Sequence, residues 1–254
     1  MPLLQSSCVT GRVRVAFELI KDIAKLALIV AFFHFSLIVY LGWKQPAWSA
    51  FAEKRRFAIL LALVLAVVGI KIGEDAVNQE SGPFDVLVLQ VIHANVPRAL
   101  DGIFAAATVT GSATVLFPLV LIVGAALLSI GRRFEALLLT VSVVSSALIV
   151  YAMKAAVGRA RPALWDTEWY WGSSFPSGHT LVVAAFATAM VICLNRIWPG
   201  SRKFSMVLAF VWIFMVAASR LVLGVHWPTD VLVSICIGMF LPLAIGIALE
   251  SGHA

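Results

Sequence analysis

Apolar residues run along this chain in long blocks, broken by short clusters of charge, glycine and proline, with no strand-like alternation between them. A helix rises 1.5 Å per residue, so about 20 apolar residues cross a hydrocarbon core of roughly 30 Å. Seven blocks approach that length, at residues 26–43, 57–72, 105–130, 134–153, 180–197, 205–222 and 229–249. Backbone left unpaired in lipid is costly, so each block is expected to be a helix. Two connections are longer than turns. Residues 73–104 carry Glu74, Asp75, Glu80, Pro83, Asp85 and Pro97 around the apolar stretch FDVLVLQVI, which predicts a short helix in the interface. Residues 154–179 hold Trp165, Trp169, Tyr170 and Trp171, aromatic side chains suited to anchoring at the headgroup layer, with lining of a headgroup pocket as the alternative.

Composition supports the membrane reading. The chain is 61% hydrophobic and 13% charged, with a mean hydropathy of +0.99, where a soluble domain is about half apolar and a quarter charged. Disorder, a disulfide-stapled secreted scaffold and a soluble nucleic-acid binder are thereby excluded. The expected class is an all-α, polytopic helical membrane protein. Cys8, Cys193 and Cys236 form no spaced set, so no metal or redox motif is read from them.

The net charge of +6 reports loop orientation rather than a polyanionic partner. One set of loops holds Lys44, Lys54, Arg55, Arg56, Arg132, Arg133, Arg196, Arg202 and Lys203. The alternate loops hold Lys71, Arg98, Lys154, Arg159, Arg161 and Arg220, three of which are better explained by a ligand site. The first set is therefore expected to face the cytoplasm and the second to face outward. The first block fits less well, because the basic tail with Arg12, Arg14, Lys21 and Lys25 would then lie outside. Cleavage after Ala50-Phe51-Ala52 would put Lys54, Arg55 and Arg56 outside and invert every later loop, so an uncleaved helix, spanning or interfacial, is expected.

Three polar clusters lie at the outward ends of these blocks, and ionisable residues at such places are candidate functional groups. They are Lys154-AAVGRA-Arg161-Pro162, Pro176-Ser177-Gly178-His179, and Ser219-Arg220-LVLGV-His226-WPT-Asp230. An out-and-back helical pair over residues 180–218 returns His179 and Ser219 to one face, and residues 163–175 form only a short link. All three clusters can therefore converge. Lys154, Arg161 and Arg220 would repel one another unless an anion sat between them, and an arginine fork suits phosphate oxygens. Ser177 and Gly178 add a hydroxyl and a close backbone N–H at a helix start. His226 and Asp230 stand four apart after a helix-starting Pro228, so the carboxylate can hold one ring nitrogen and leave the other nucleophilic. His179, on another helix start, is placed to protonate a leaving oxygen. Taken singly, each has a plainer explanation: headgroup anchoring for the cations, a turn for PSGH, a capping pair for His226 and Asp230. Arg159 keeps the anchoring explanation, and His34 and His93, without a carboxylate neighbour, keep a packing or interfacial one.

The motifs KAAVGRARP, PSGH and SRLVLGVHWPTD resemble, residue for residue, the three-part motif of the type 2 phosphatidic acid phosphatase superfamily, which also includes vanadium haloperoxidases and class A acid phosphatases. The resemblance covers roughly residues 150–230. It implies a six-helix phosphatase core over residues 57–250, preceded by an extension over residues 1–56 with one extra apolar helix. It also implies phosphate binding by Lys154, Arg161, Ser177, Gly178 and Arg220, attack by His226 oriented by Asp230, and proton transfer by His179, without a metal or other cofactor. The apolar content favours the membrane lipid phosphatases of that superfamily, acting on a lipid phosphate monoester or diphosphate at the outer face of a bacterial inner membrane. Two other classes stay open: a phosphotransferase using the same histidine, and a non-catalytic anion-binding membrane protein.

Overall fold

Within the described residues every apolar block is helical, since a segment with no water to bond must close its own backbone ladder. The structure is a computed structural model that describes residues 21–40, 43, 52–165 and 172–251. Trp169, Tyr170, Trp171, Cys8, Arg12, Arg14, Lys44, Ala50, Phe51 and His253 lie outside those residues. The helices are α1 (Lys21–Tyr40), α2 (Arg56–Val77), α3 (Gly82–Asn95), α4 (Asp101–Thr110), α5 (Ala113–Ser129), α6 (Arg133–Val157), α7 (Gly178–Ile197), α8 (Arg202–Val222) and α9 (Pro228–Ser251). Helix α3 is the short helix expected around FDVLVLQVI.

The block expected as one continuous helix over 105–130 is instead broken: its two parts, Arg98–Thr110 and Ala113–Ser129, meet at 45°. Gly111 sits at the break, where an added Cβ would stand 3.0 Å from Val183 and Val216 side chains. The bend therefore presses directly on α7 and α8. The other six long helices are each apolar enough to cross a membrane, α1 among them.

Helix α7 is the hub, packed on α6, α8 and α9, and half of its apolar window is buried, compared with 11% for α2. Lipid is as apolar as a leucine side chain, so close approach rather than hydrophobic exclusion holds such helices together. The α7–α9 crossing illustrates this. A Cβ on Gly238 would lie 2.4 Å from the Leu181 carbonyl oxygen and 2.6 Å from Ala184 Cβ. Leu116 and Val120 of α5, Leu139 of α6, Val183 and Phe186 of α7 and Val216 of α8 fill the core beside it.

An ionic clasp closes the end of the bundle where α6 and α8 begin. Glu250 accepts from Arg55 at 2.6 Å and from Arg196 at 2.5 Å, and Arg196 also reaches Glu135 at 3.3 Å. These contacts tie α6, α7 and α9 to the residue preceding α2. The three polar clusters lie at the opposite end.

Candidate active site

Helix ends build the site. Gly158 terminates α6 in the left-handed region at φ 61°, ψ 24°, a conformation that favours glycine, and turns Arg159, Ala160 and Arg161 across the bundle end. The turn is fixed by backbone partners: Ser174 N–H donates to the Arg159 carbonyl at 2.8 Å, and the Ser174 hydroxyl and Trp227 indole both donate to the Ala160 carbonyl. Lys154 donates to the Ser173 carbonyl, and Arg161 reaches the Gly172 carbonyl at 3.2 Å. Both cations are thus held against the segment that leads into Ser177, Gly178 and His179.

Helix α7 starts at Gly178, where an added Cβ would come within 3.2 Å of Val150 on α6. Ser177 is fully buried and its hydroxyl pairs with Thr180 at 3.0 Å. His179, in the first turn, lies within electrostatic reach of Arg220, His226, Lys154 and Arg161. It also lines an apolar groove of about 620 Å³ between α5, α6 and α7. Phe117, Leu121 and Leu148 line this groove and are exposed, so it opens sideways from the bundle. Arg220, at the end of α8, is buried and donates to Thr108 Oγ1 on α4. The broken helix thus supplies a polar anchor for one of the site's cations.

His226 sits in the link between α8 and α9, 2% exposed. Its two ring nitrogens face different partners. Nε2 stands 3.4 Å from Arg161 Nη1, among the cations, while Nδ1 faces Asp230 Oδ2 at 3.6 Å, longer than a formed hydrogen bond. Burial pushes the imidazole down to about 4, Arg220 and Arg161 act in the same direction, and Asp230 opposes them. At neutral pH the ring is therefore uncharged, with a lone pair available on one nitrogen. Asp230 Oδ2 also accepts the Trp227 N–H at 3.0 Å, so the carboxylate reaches back to cap the helix that carries it. The capping contact expected of Asp230 is thus formed, while its other neighbour, His226 Nδ1, stands 3.6 Å away.

All eight residues singled out from the sequence, Lys154, Arg161, Ser177, Gly178, His179, Arg220, His226 and Asp230, stand at one end of the bundle. Arg159 is the correction. Expected as a headgroup anchor, it lies inward, donating to Asp230 Oδ1 at 2.5 Å and to Asp85 Oδ2 at 2.7 Å. Trp165 is partly exposed and makes two close contacts. Its ring stacks on His93 at 4.1 Å and covers Gly224, where a Cβ would meet its indole nitrogen at 2.7 Å. His93, for which a packing or interfacial role is expected, is exposed and makes this stack. Among the described residues, no group of three His, Cys, Asp or Glu side chains is gathered to hold a metal ion.

A family model described as the PAP2 superfamily matches residues 135–248, the stretch holding all three clusters. Residues 135–248, somewhat less than half of the chain, are thus similar to the PAP2 superfamily. Phosphatidylglycerophosphatase B of Escherichia coli K12 is 39% identical over 70 residues, an alignment covering 28% of this chain and 26% of that one. The chain thus spans about a quarter of that relative's length. Phosphatidylglycerophosphatase B of Bacillus subtilis is 26% identical over 188 residues, covering 73% of this chain and 87% of its own. The crystal structure of the transmembrane PAP2-type phosphatidylglycerolphosphate phosphatase from Bacillus subtilis superposes with a TM-score of 0.65 at 24% identity, covering 78% of this chain and 97% of that one. That likeness establishes a shared fold, the helical PAP2 bundle expected from the motifs.

Proposed function

We propose that this protein is a membrane lipid phosphatase that hydrolyses a lipid phosphate monoester or diphosphate through a phosphohistidine on His226. The observation that carries the reading is the two-sided placement of that ring, with Nε2 toward Arg161 and Nδ1 toward Asp230. Lys154, Arg161, Arg220, Ser177 and the Gly178 N–H bind the phosphate and offset charge as it develops on the transferred group. The Nε2 lone pair attacks phosphorus and the bond to the leaving oxygen breaks, with His179 giving that oxygen its proton. Asp230 stabilises the ring as positive charge builds on it. Water then attacks the phosphohistidine, gives its proton back to His179, and inorganic phosphate leaves.

The groove beside His179 supports a lipid substrate over a soluble one, because it is lined by apolar side chains and leads sideways to the first turn of α7. The charge distribution of the loops supports a site on the extracytoplasmic face of a bacterial inner membrane. Neither the phosphate ligands nor the nucleophile require a metal in this scheme. The test is phosphate release by detergent-purified protein in EDTA, from phosphatidic acid, phosphatidylglycerol phosphate, undecaprenyl diphosphate and lipid A, beside soluble glycerol 3-phosphate. Release from at least one lipid, at roughly ten times the soluble rate or more, is expected. No release from any lipid refutes the reading, and a phosphorylated lipid acceptor in place of free phosphate assigns the protein to the transferases.

A further inference from the structure

The segment that carries the proposed nucleophile is held from outside the three motifs. Asp85, in the first turn of α3, is fully buried in an otherwise apolar stretch, and its carboxylate receives four donors. Oδ1 accepts the Thr229 N–H at 3.0 Å, while Oδ2 accepts the hydroxyls of Thr229 and Ser81, each at 2.8 Å, and Arg159 Nη2 at 2.7 Å. Thr229 is the residue before Asp230, so Asp85 grips the opening turn of α9 through one of its free amides. Arg159 completes the connection. Its Nη1 donates to Thr229 Oγ1 at 2.9 Å and to Asp230 Oδ1 at 2.5 Å, so one guanidinium bridges the two buried carboxylates.

We infer that Asp85 and Arg159 are positioning residues of the reaction, fixing the Asp230 carboxylate and through it the His226 ring. The inference rests on the phosphatase reading above. Asp230 spends one oxygen on Arg159 and keeps the other for the Trp227 N–H and the His226 side, so the guanidinium decides which oxygen faces the imidazole. Without that partner the carboxylate could rotate about its terminal bond, which is a soft torsion. Without Asp85 the guanidinium would lose its second fork and Thr229 its acceptor, loosening the turn on which Asp230 sits. Asp85 and Arg159 thus act on His226 through Asp230, as partners behind a ligand orient the group in front.

The test uses Asp85→Asn, which keeps the shape and removes the charge, and Arg159→Lys, which keeps the charge and removes the fork. Both are purified in detergent beside the parent and assayed with phosphatidylglycerol phosphate, with inorganic phosphate as the competitive probe of the phosphate site. Each variant is expected to lose roughly 10- to 100-fold in kcat, with KM and the phosphate inhibition constant within about three-fold of the parent. The double variant is expected to lose about as much as the worse single one, because both act on one carboxylate. A simple structural clamp would lower thermal stability and leave kcat per folded molecule unchanged. The inference is overturned if either folded variant keeps kcat within about two-fold of the parent, or if the loss falls on KM and phosphate binding. Should Asp85→Asn fail to fold, Arg159→Lys decides the question by the same two criteria. A parent that releases no phosphate from any lipid overturns the phosphatase reading itself, a result separate from a working parent with unaffected variants.

Discussion

Replacing Asp230 with asparagine removes one charge and one acceptor, and the structure assigns a cost to each. In the proposed attack on phosphorus the His226 ring would become cationic, 3.6 Å from Asp230 Oδ2. At an effective dielectric of about 20, that attraction is worth about 5 kcal/mol, equivalent to between three and four orders of magnitude in rate. Some of it returns through water and the remaining polar groups, so a fall in kcat of about 1,000-fold is expected. The second cost falls on folding. Arg159 Nη1 and the Trp227 N–H each use a different oxygen of this carboxylate, and an asparagine offers only one acceptor. One buried donor is then left unmet, which costs about 1–3 kcal/mol of stability. The assay is kcat for phosphate release from phosphatidylglycerol phosphate, paired with thermal unfolding of the same detergent preparation. A folded Asp230→Asn protein that keeps more than about a tenth of the parent rate would refute the orienting role.

Further outcomes follow from the same geometry. Burial holds the His226 imidazole down to about 4, so kcat/KM for the free enzyme is expected to persist well below pH 6.5 and to fall only as pH drops through about 4. The same shift makes stability decline as pH falls from 6.5 toward 4, because the unfolded chain takes up a proton there that the folded one refuses, and denaturation at stepped pH checks the sign. Arg161→Lys forfeits the fork that now donates to the Val225 and Gly172 carbonyls, and a loss of about 100-fold in kcat/KM with a lowered unfolding midpoint, about 1 kcal/mol of stability, is expected. Gly238→Ala drives a methyl group into the Leu181 carbonyl at the α7–α9 crossing; a stability loss of about 1–3 kcal/mol is expected by thermal unfolding in detergent.

Much of this arrangement is legible in the chain because it is local in sequence. The helical blocks follow from apolar run length, and the Pro228-Thr229-Asp230 start of α9 follows from capping chemistry that consecutive residues display. The convergence of Lys154, His179 and His226 follows from counting membrane crossings. The break at Gly111 is not legible, since it depends on Val183 and Val216 approaching from two other helices. Arg159 misleads because an arginine at a helix end looks the same whether it turns outward or inward, and only Gly158 in its left-handed conformation settles the direction. Asp85 leaves a usable signal. A lone carboxylate inside FDVLVLQVI needs a buried partner, but that partner lies 74 positions along the chain, where no periodicity points.

His226 is proposed here as the nucleophile of a lipid phosphatase. This role is tested most directly by the rate of phosphate release from phosphatidylglycerol phosphate by the parent protein and by His226→Ala, side by side in EDTA. Steady release by the parent and a loss of at least about 1,000-fold in the folded variant are expected. Release by His226→Ala at a rate comparable to the parent would contradict that role.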